Sequence, residues 1–244
     1  MDPRFGLFVA QLRLVARSPI SFGAHGAANL IRGQFGRALF EERPELYQHL
    51  FAPVSAGPSG LKDPPRPYVL RTRSLDGRSF RAGEEVPFTV HLFDHAWVDA
   101  ERVILNLSPP VETVSRVRVE FLTPTELKGG EGADFGVLFA RLRDRISSLR
   151  ALYGEGPLEI DFRGMGERAL QVRMIEQSIE RVDRNRTSRA TGDTHPISGF
   201  IGEAVYEGEL GEFVPYLEAG FWTGVGRQTV WGKGEIRTTV LRHP

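Results

Sequence analysis

Alternating runs and one strong helical stripe predict an α+β chain with antiparallel sheets, and three observations carry that reading. Strict apolar–polar alternation recurs at Val86, Phe88, Val90 and Leu92, at Val103, Leu105 and Leu107, and at Val117, Val119 and Phe121. That period belongs to a strand with one face buried. Phe135, Leu138, Phe139, Leu142, Ile146, Leu149 and Leu152 fall on one stripe at helical spacing, which predicts an amphipathic helix. The composition, 41% hydrophobic and 25% charged over 244 residues, is that of a folded chain long enough for one large or two small domains.

Taken in order, FVAQLRLVAR (8–17) reads as a strand and HGAANLIRGQFGRALF (25–40) as a helix with Leu30, Ile31, Phe35, Ala38 and Leu39 on its apolar face. Gly33 and Gly36 inside that helix cost about 1 kcal/mol each against alanine, so something is expected to approach closely there. The stretch APVSAGPSGLKDPPRPYVL (52–70) reads as an irregular loop from its prolines and glycines. Strands follow around 86–92, possible at an edge because of Pro87, and around 103–107. PPVETVSR (109–116) reads as a linker, which places domains at 1–112 and 113–244. In the second half come the strand at 117–121, the long helix, and the run from Ala169 to Phe200, where helix and strand templates fit about equally. FIGEAVYEG then reads as extended, GEFVPYLEAGF as helical, and QTVWGKGEIRTTVLR as a closing strand. Each half thus runs strand, helix, strands, the order of ferredoxin-like (RRM-like, βαββαβ) units in tandem.

The 31 basic residues balance 31 acidic ones, so net charge points to no polyanionic partner and local charge must carry that argument. There is no cysteine, which excludes disulfides and thiolate metal sites. The start MDPRFGLFVAQLRLVARSPI carries Asp2 and has arginines breaking its apolar part, unlike a signal peptide or a membrane span. The expectation is a cytoplasmic protein with no membrane partner.

The least ordinary stretch is TGVGRQTVWGKGEI (223–236), where Gly224, Gly226, Gly232 and Gly234 form two Gly-x-Gly pairs beside Arg227 and Lys233. It is not a dinucleotide fingerprint, because Thr229 stands where the third glycine belongs, and not a P-loop, because Arg227 and Gly234 occupy two required positions. Backbone N–H groups freed by glycine can form an anion-binding concavity, to which Arg227 and Lys233 add charge. Trp222 or Trp231 can offer a base a stacking surface. The plainer alternative is a glycine-rich turn with both tryptophans in the core. Arg181, Arg184, Arg186 and Arg189 lie within nine residues and read either as a phosphate-contacting stripe or as a solvated hairpin. Arg141, Arg143 and Arg145 cannot share one helix face and read as solvated.

GFIGEAVYEGELGEFVPYLEAGFWTGVGRQTVWGKGEI (199–236) resembles the C-terminal segment of the RAMP (repeat-associated mysterious protein) superfamily, and within it the CRISPR-associated endoribonucleases that process precursor CRISPR RNA. LIRGQFGRAL (30–39) resembles that family's first-helix motif, and SGLKDPPRPYVLR (59–71) the proline-rich segment after it. The resemblance implies two ferredoxin-like domains and an RNA-binding glycine loop, here Gly224, Gly226, Arg227, Gly232, Lys233 and Gly234; on the phosphate-contacting reading of the arginine run, Arg184 and Arg186 are further contacts. It also implies cleavage within repeats without metal or small-molecule cofactor, by attack of the substrate's own 2′-hydroxyl to leave a 2′,3′-cyclic phosphate. Such a reaction needs a base, an acid and cations around the phosphorane, and histidine suits the first two because its ordinary pKa lies near neutrality. Of six histidines, His25 stands where many family members carry a catalytic one, and His49 is a lesser candidate. The lysine that commonly assists has no evident counterpart, which leaves Arg32 as its replacement. The implied partners are CRISPR repeat RNA and, for a non-catalytic RAMP subunit holding guide RNA, the other subunits of an effector complex. A protein-interaction module with a merely structural loop is the alternative from another class.

Overall fold

The computed structural model describes residues 4–53, 64–94, 100–130, 132–154, 156–183, 185–187, 194–196 and 198–242, with 185–187 and 194–196 as backbone. The chain divides into two compact units. One comprises Met1–Asn106, Arg145–Leu158 and Val230–Gly232, the other Leu107–Asp144, Glu159–Thr229 and Lys233–Pro244.

In the first unit the strands are β1 (Arg4–Val15), β2 (Ile20–Ser21), β3 (Tyr68–Arg71), β4 (Ser79–Phe80), β5 (Glu85–Leu92) and β6 (Glu101–Asn106). The main sheet has the order β3-β5-β1-β6, antiparallel throughout. Helices α1 (Ala27–Glu42) and α2 (Pro44–Phe51) lie between β2 and β3 in sequence. Arg43 closes α1, and Pro44 at the first turn of α2 needs no N–H there and cannot continue the preceding helix. Phe8, Leu12, Val86, Phe88, Val90, Tyr68 and Leu70 from the sheet pack with Ile31, Phe35 and Leu50 from the helices. The close approach expected at Gly36 is made by α2, since a Cβ there would lie 2.7 Å from the Phe51 ring; around Gly33 there is nothing within 4 Å. Among the described residues no helix joins β5 to β6.

In the second unit β7 (Arg116–Thr125), β8 (Arg173–Val182), β11 (Gly199–Glu207) and β12 (Ile236–Val240) form an antiparallel sheet in the order β12-β7-β11-β8, with β9 (Asn185–Thr187) and β10 (Thr194–Pro196) as a separate ladder. Helices α3 (Phe135–Tyr153), α4 (Phe162–Ala169) and α5 (Val214–Thr223) complete the set. Phe139 meets Phe213 edge-on at 4.6 Å between centroids and Phe213 meets Phe135 at 5.4 Å. Each such ring contributes about 1.5–3 kcal/mol on burial. Both sheets carry the 4-1-3-2 strand order of a βαββαβ unit, so the α+β ferredoxin-like class read from the sequence is what the chain adopts.

Four local readings change. YVLR (68–71) is a buried strand, not loop, because its apolar run ends the proline-rich stretch and pairs with β5. The ambiguous run after Ala169 begins as the strand β8, whose residues are nearly all exposed; an edge strand exposed on both faces carries no alternation for a sequence to display. The closing strand starts at Ile236 and not at Gln228, because Thr229–Trp231 is a short 3-10 turn followed by two glycines at φ of +71° and +69°. On α3, Arg143 is held by Asp144 and the Phe162 carbonyl, and burial beside the like charge of Arg71 lowers Arg145 to about 10. Neither is a solvated surface arginine.

Candidate functional site

Each unit carries one place where chemistry-bearing side chains gather. In the first unit it lies around α1 and α2. His25 stands just before α1 with a positive φ of +52°, a conformation that strains a non-glycine residue by on the order of 1 kcal/mol. Its Nδ1 is 4.0 Å from Asp76 Oδ2. The other oxygen of Asp76 accepts the Ala27 N–H at 3.2 Å, so that aspartate also satisfies one of the open donors at the start of α1. His49, on α2, lies closer to its partner, with Nε2 2.6 Å from Asp94 Oδ2. The His49 and Asp94 side chains keep 34% and 20% of their surface exposed, so both are reachable from solvent.

Arg32 projects from α1, with its guanidinium carbon 3.8 Å over the Trp231 ring and 4.9 Å from the Phe51 ring. One helical turn before it, Ala28 meets the same part of the chain, since a Cβ on Gly232 would fall 2.7 Å from the Ala28 methyl. Only glycine lets α1 and the 230–232 turn approach so closely. Beside this stack, burial raises the Tyr68 hydroxyl to about 12 despite the Arg32 and Arg66 charges. Burial likewise raises Tyr153 to about 12, and its hydroxyl donates to the Pro65 carbonyl at 2.8 Å. The unit thus holds two histidine–aspartate pairs, two tyrosines and several arginines.

The second unit holds most of the glycine-rich loop. Gly224, Gly226 and Gly234 all have positive φ, and all three admit close approach by the chain itself. A Cβ on Gly226 would lie 2.3 Å from the Glu126 carbonyl, one on Gly234 1.9 Å from the Val225 carbonyl, and one on Gly224 3.1 Å from Thr229. The backbone N–H groups of Gly224, Val225, Arg227 and Gly234 go to the carbonyls of Gly220, Gly234, Glu126 and Pro124. Those four donors, open in the sequence reading to an outside anion, serve the loop's own fold.

Its two cations differ. Lys233 is fully buried, its ammonium bonded to Glu126 Oε2 at 3.2 Å, the Ser198 carbonyl at 2.6 Å and Gln228 Oε1 at 3.0 Å. Burial lowers the lysine below its ordinary range, and Glu126 offsets part of that. Arg227 gives NH1 to Glu126 Oε1 at 2.9 Å with 63% of its side chain exposed. Burial alone would raise the Glu126 carboxyl, but the hydrogen bonds and charges of Arg227 and Lys233 outweigh it and hold the group below its ordinary range. Arg186 lies on β9, its backbone paired with His195 of β10, and Arg184 is outside the described residues. Among the described residues no three His, Asp or Glu side chains gather as a metal site requires, and no helix is long and apolar enough to cross a membrane.

His49–Asp94 is a pair that sequence reasoning did not see: it offered His49 alone, behind His25. The two residues are far apart along the chain, and no spacing signal links them; only the antiparallel pairing that ends β5 beside the helices brings them together.

Comparison with known proteins bears on the fold and on the second half of the sequence. Residues 119–236 match the family of the CRISPR-associated endoribonuclease Cas6. No curated protein sequence matches the chain. Among solved structures, the Thermus thermophilus Cas6 (TTHB231) aligns over 97% of this chain and 99% of its own with a TM-score of 0.59 at 17% identity. A product complex of the Cas6 TTHA0078 aligns over 96% and 100%, with a TM-score of 0.57 at 18% identity. A chain of a partial Cas6-RT-Cas1–Cas2 complex aligns over 98% of this chain and 46% of its own, with a TM-score of 0.57 at 13% identity. These likenesses show the shared fold from end to end, while the sequence match covers β7 to the start of β12 and includes the glycine-rich loop. The chain thus carries the sequence pattern of the CRISPR-associated endoribonuclease Cas6 over residues 119–236 and shares the fold of the solved Cas6 structures along its length.

Proposed function

We propose that this protein binds precursor CRISPR RNA and cuts it within the repeats without metal, by attack of the 2′-hydroxyl on the adjacent phosphorus. The P–O5′ bond breaks, a base takes the 2′-hydroxyl proton, an acid returns a proton to the departing 5′-oxygen, and a 2′,3′-cyclic phosphate remains. The observation that carries this reading is the His49–Asp94 pair at 2.6 Å, in the same unit as the Arg32 stack. A carboxylate on one imidazole nitrogen orients the ring and leaves the other nitrogen to exchange a proton with substrate. His25, farther from Asp76, is the second candidate for that task. Arg32 is assigned the cation beside the phosphorane, held in place by its two aromatic neighbours.

RNA binding is assigned to the exposed Arg227 and the glycine turn that presents it, with Arg184 and Arg186 of the arginine-rich run as further contacts. Other CRISPR-associated proteins are partners consistent with a Cas6-like chain within a Cas6-RT-Cas1–Cas2 complex. The test uses repeat RNA from the locus that encodes the chain, incubated in EDTA, with and without a single 2′-deoxy substitution at the mapped cut. Cleavage to a cyclic end, abolished by the 2′-deoxy nucleotide, is expected. Cleavage that survives the substitution would rule out 2′-hydroxyl attack, and tight binding without cleavage would make the protein a guide-RNA subunit.

A further inference from the structure

The two cations of the glycine-rich loop share one acid, and their different surroundings assign it a task. Lys233 has three N–H donors and three acceptors around it, in Glu126, Ser198 and Gln228, so its capacity is filled inside the protein. Arg227, by contrast, is mostly exposed and gives Glu126 only its NH1 in the bond that joins them. Glu126 sits at the end of β7, where its own carbonyl accepts the Arg227 N–H at 3.0 Å and faces Gly226 too closely for any side chain. Backbone and carboxylate of one residue therefore grip the same turn from two sides.

We propose that Glu126 is a positioning residue for RNA binding: it pins Lys233 within the loop and holds the Arg227 guanidinium at the surface, pre-oriented for a phosphate of the repeat RNA. The inference rests on the reading that the chain binds repeat RNA. A planar guanidinium that keeps one edge on a carboxylate presents its remaining donors in a fixed direction, which suits the fork geometry of phosphate recognition. Pre-orientation spares the side-chain ordering that binding otherwise costs. Lys233, in this view, meets no RNA at all.

The sign of the effect separates this role from plain electrostatics. Glu126→Gln removes a negative charge beside the loop, which by charge alone tightens RNA binding. Positioning demands the opposite. The affinity of the Glu126→Gln variant for a repeat RNA made uncleavable by a 2′-deoxy nucleotide is expected to fall roughly tenfold, the scale of one charge-assisted contact. Its kcat at saturating RNA is expected to stay within about twofold of wild type, because the loss is in binding. In an Arg227→Ala background the same substitution is expected to have little further effect, since its action runs through Arg227. Glu126→Asp, which keeps the charge on a shorter stem, serves the same cycle if the Gln variant does not fold. Unchanged or tighter binding, or an equal loss with and without Arg227, would overturn the role. Failure of the wild type to bind repeat RNA would defeat the functional reading itself, a result distinguishable because the wild-type control then fails first.

Discussion

Two histidines in the first unit each face an aspartate, and the two pairs are built differently. His25 is held in a left-handed backbone conformation, 4.0 Å from an Asp76 whose other oxygen accepts the first N–H of α1. His49 sits in a regular helical turn with its Nε2 2.6 Å from Asp94. One aspartate is occupied in satisfying a helix start, and its histidine is tied to the strained entry of that helix. The other pair stands at ion-pair distance and lies partly open to solvent. Proximity to the family motif points to His25, whereas the shorter contact is that of His49; the proposal gives His49 the proton transfer and leaves His25 and Asp76 as a brace on α1.

That contrast is sharpest at the chemical step. His49→Ala is expected to slow cleavage by roughly 10²–10⁴-fold, the usual worth of a positioned acid or base, with RNA affinity kept, as read by single-turnover rates beside a binding titration. If affinity falls and the saturated rate holds, His49 is a binding residue and the comparison breaks. Asp94→Asn keeps the shape but removes the orienting charge, and is expected to lower the same rate by about tenfold or more while the fold persists. A rate equal to wild type would leave Asp94 without a part. Asp76→Ala belongs to the other pair and should cost about 1 kcal/mol of stability through the lost helix-start contact, seen as a lower unfolding midpoint in urea. A large loss of cleavage at temperatures where this variant is folded would return the chemistry to His25. The smallest effect is expected from His25→Gly. Relief of the positive φ offsets the added freedom of the unfolded chain, so stability should change by no more than about 0.5–1 kcal/mol, with cleavage retained.

How much of this was legible in the sequence follows from the same physics. Strands with one buried face, such as 86–92 and 117–121, display their alternation in the sequence. The edge strand β8, exposed on both faces, displays none, and YVLR was hidden by the prolines before it. In the loop, sequence showed the glycines and cations but not their direction. The glycines admit the chain's own carbonyls, and Lys233, which reads like a phosphate ligand, is buried against Glu126, a residue about a hundred positions earlier in the chain. Pairings of that kind, like His49 with Asp94, are set by tertiary packing and leave no local spacing to find.

The measurement that bears most directly on the account is single-turnover cleavage of a labelled repeat RNA in EDTA by the wild type, His49→Ala and His25→Ala side by side. The account expects one cut with a 2′,3′-cyclic end, lost in His49→Ala and kept in His25→Ala. Cleavage kept in His49→Ala and lost in His25→Ala would contradict it.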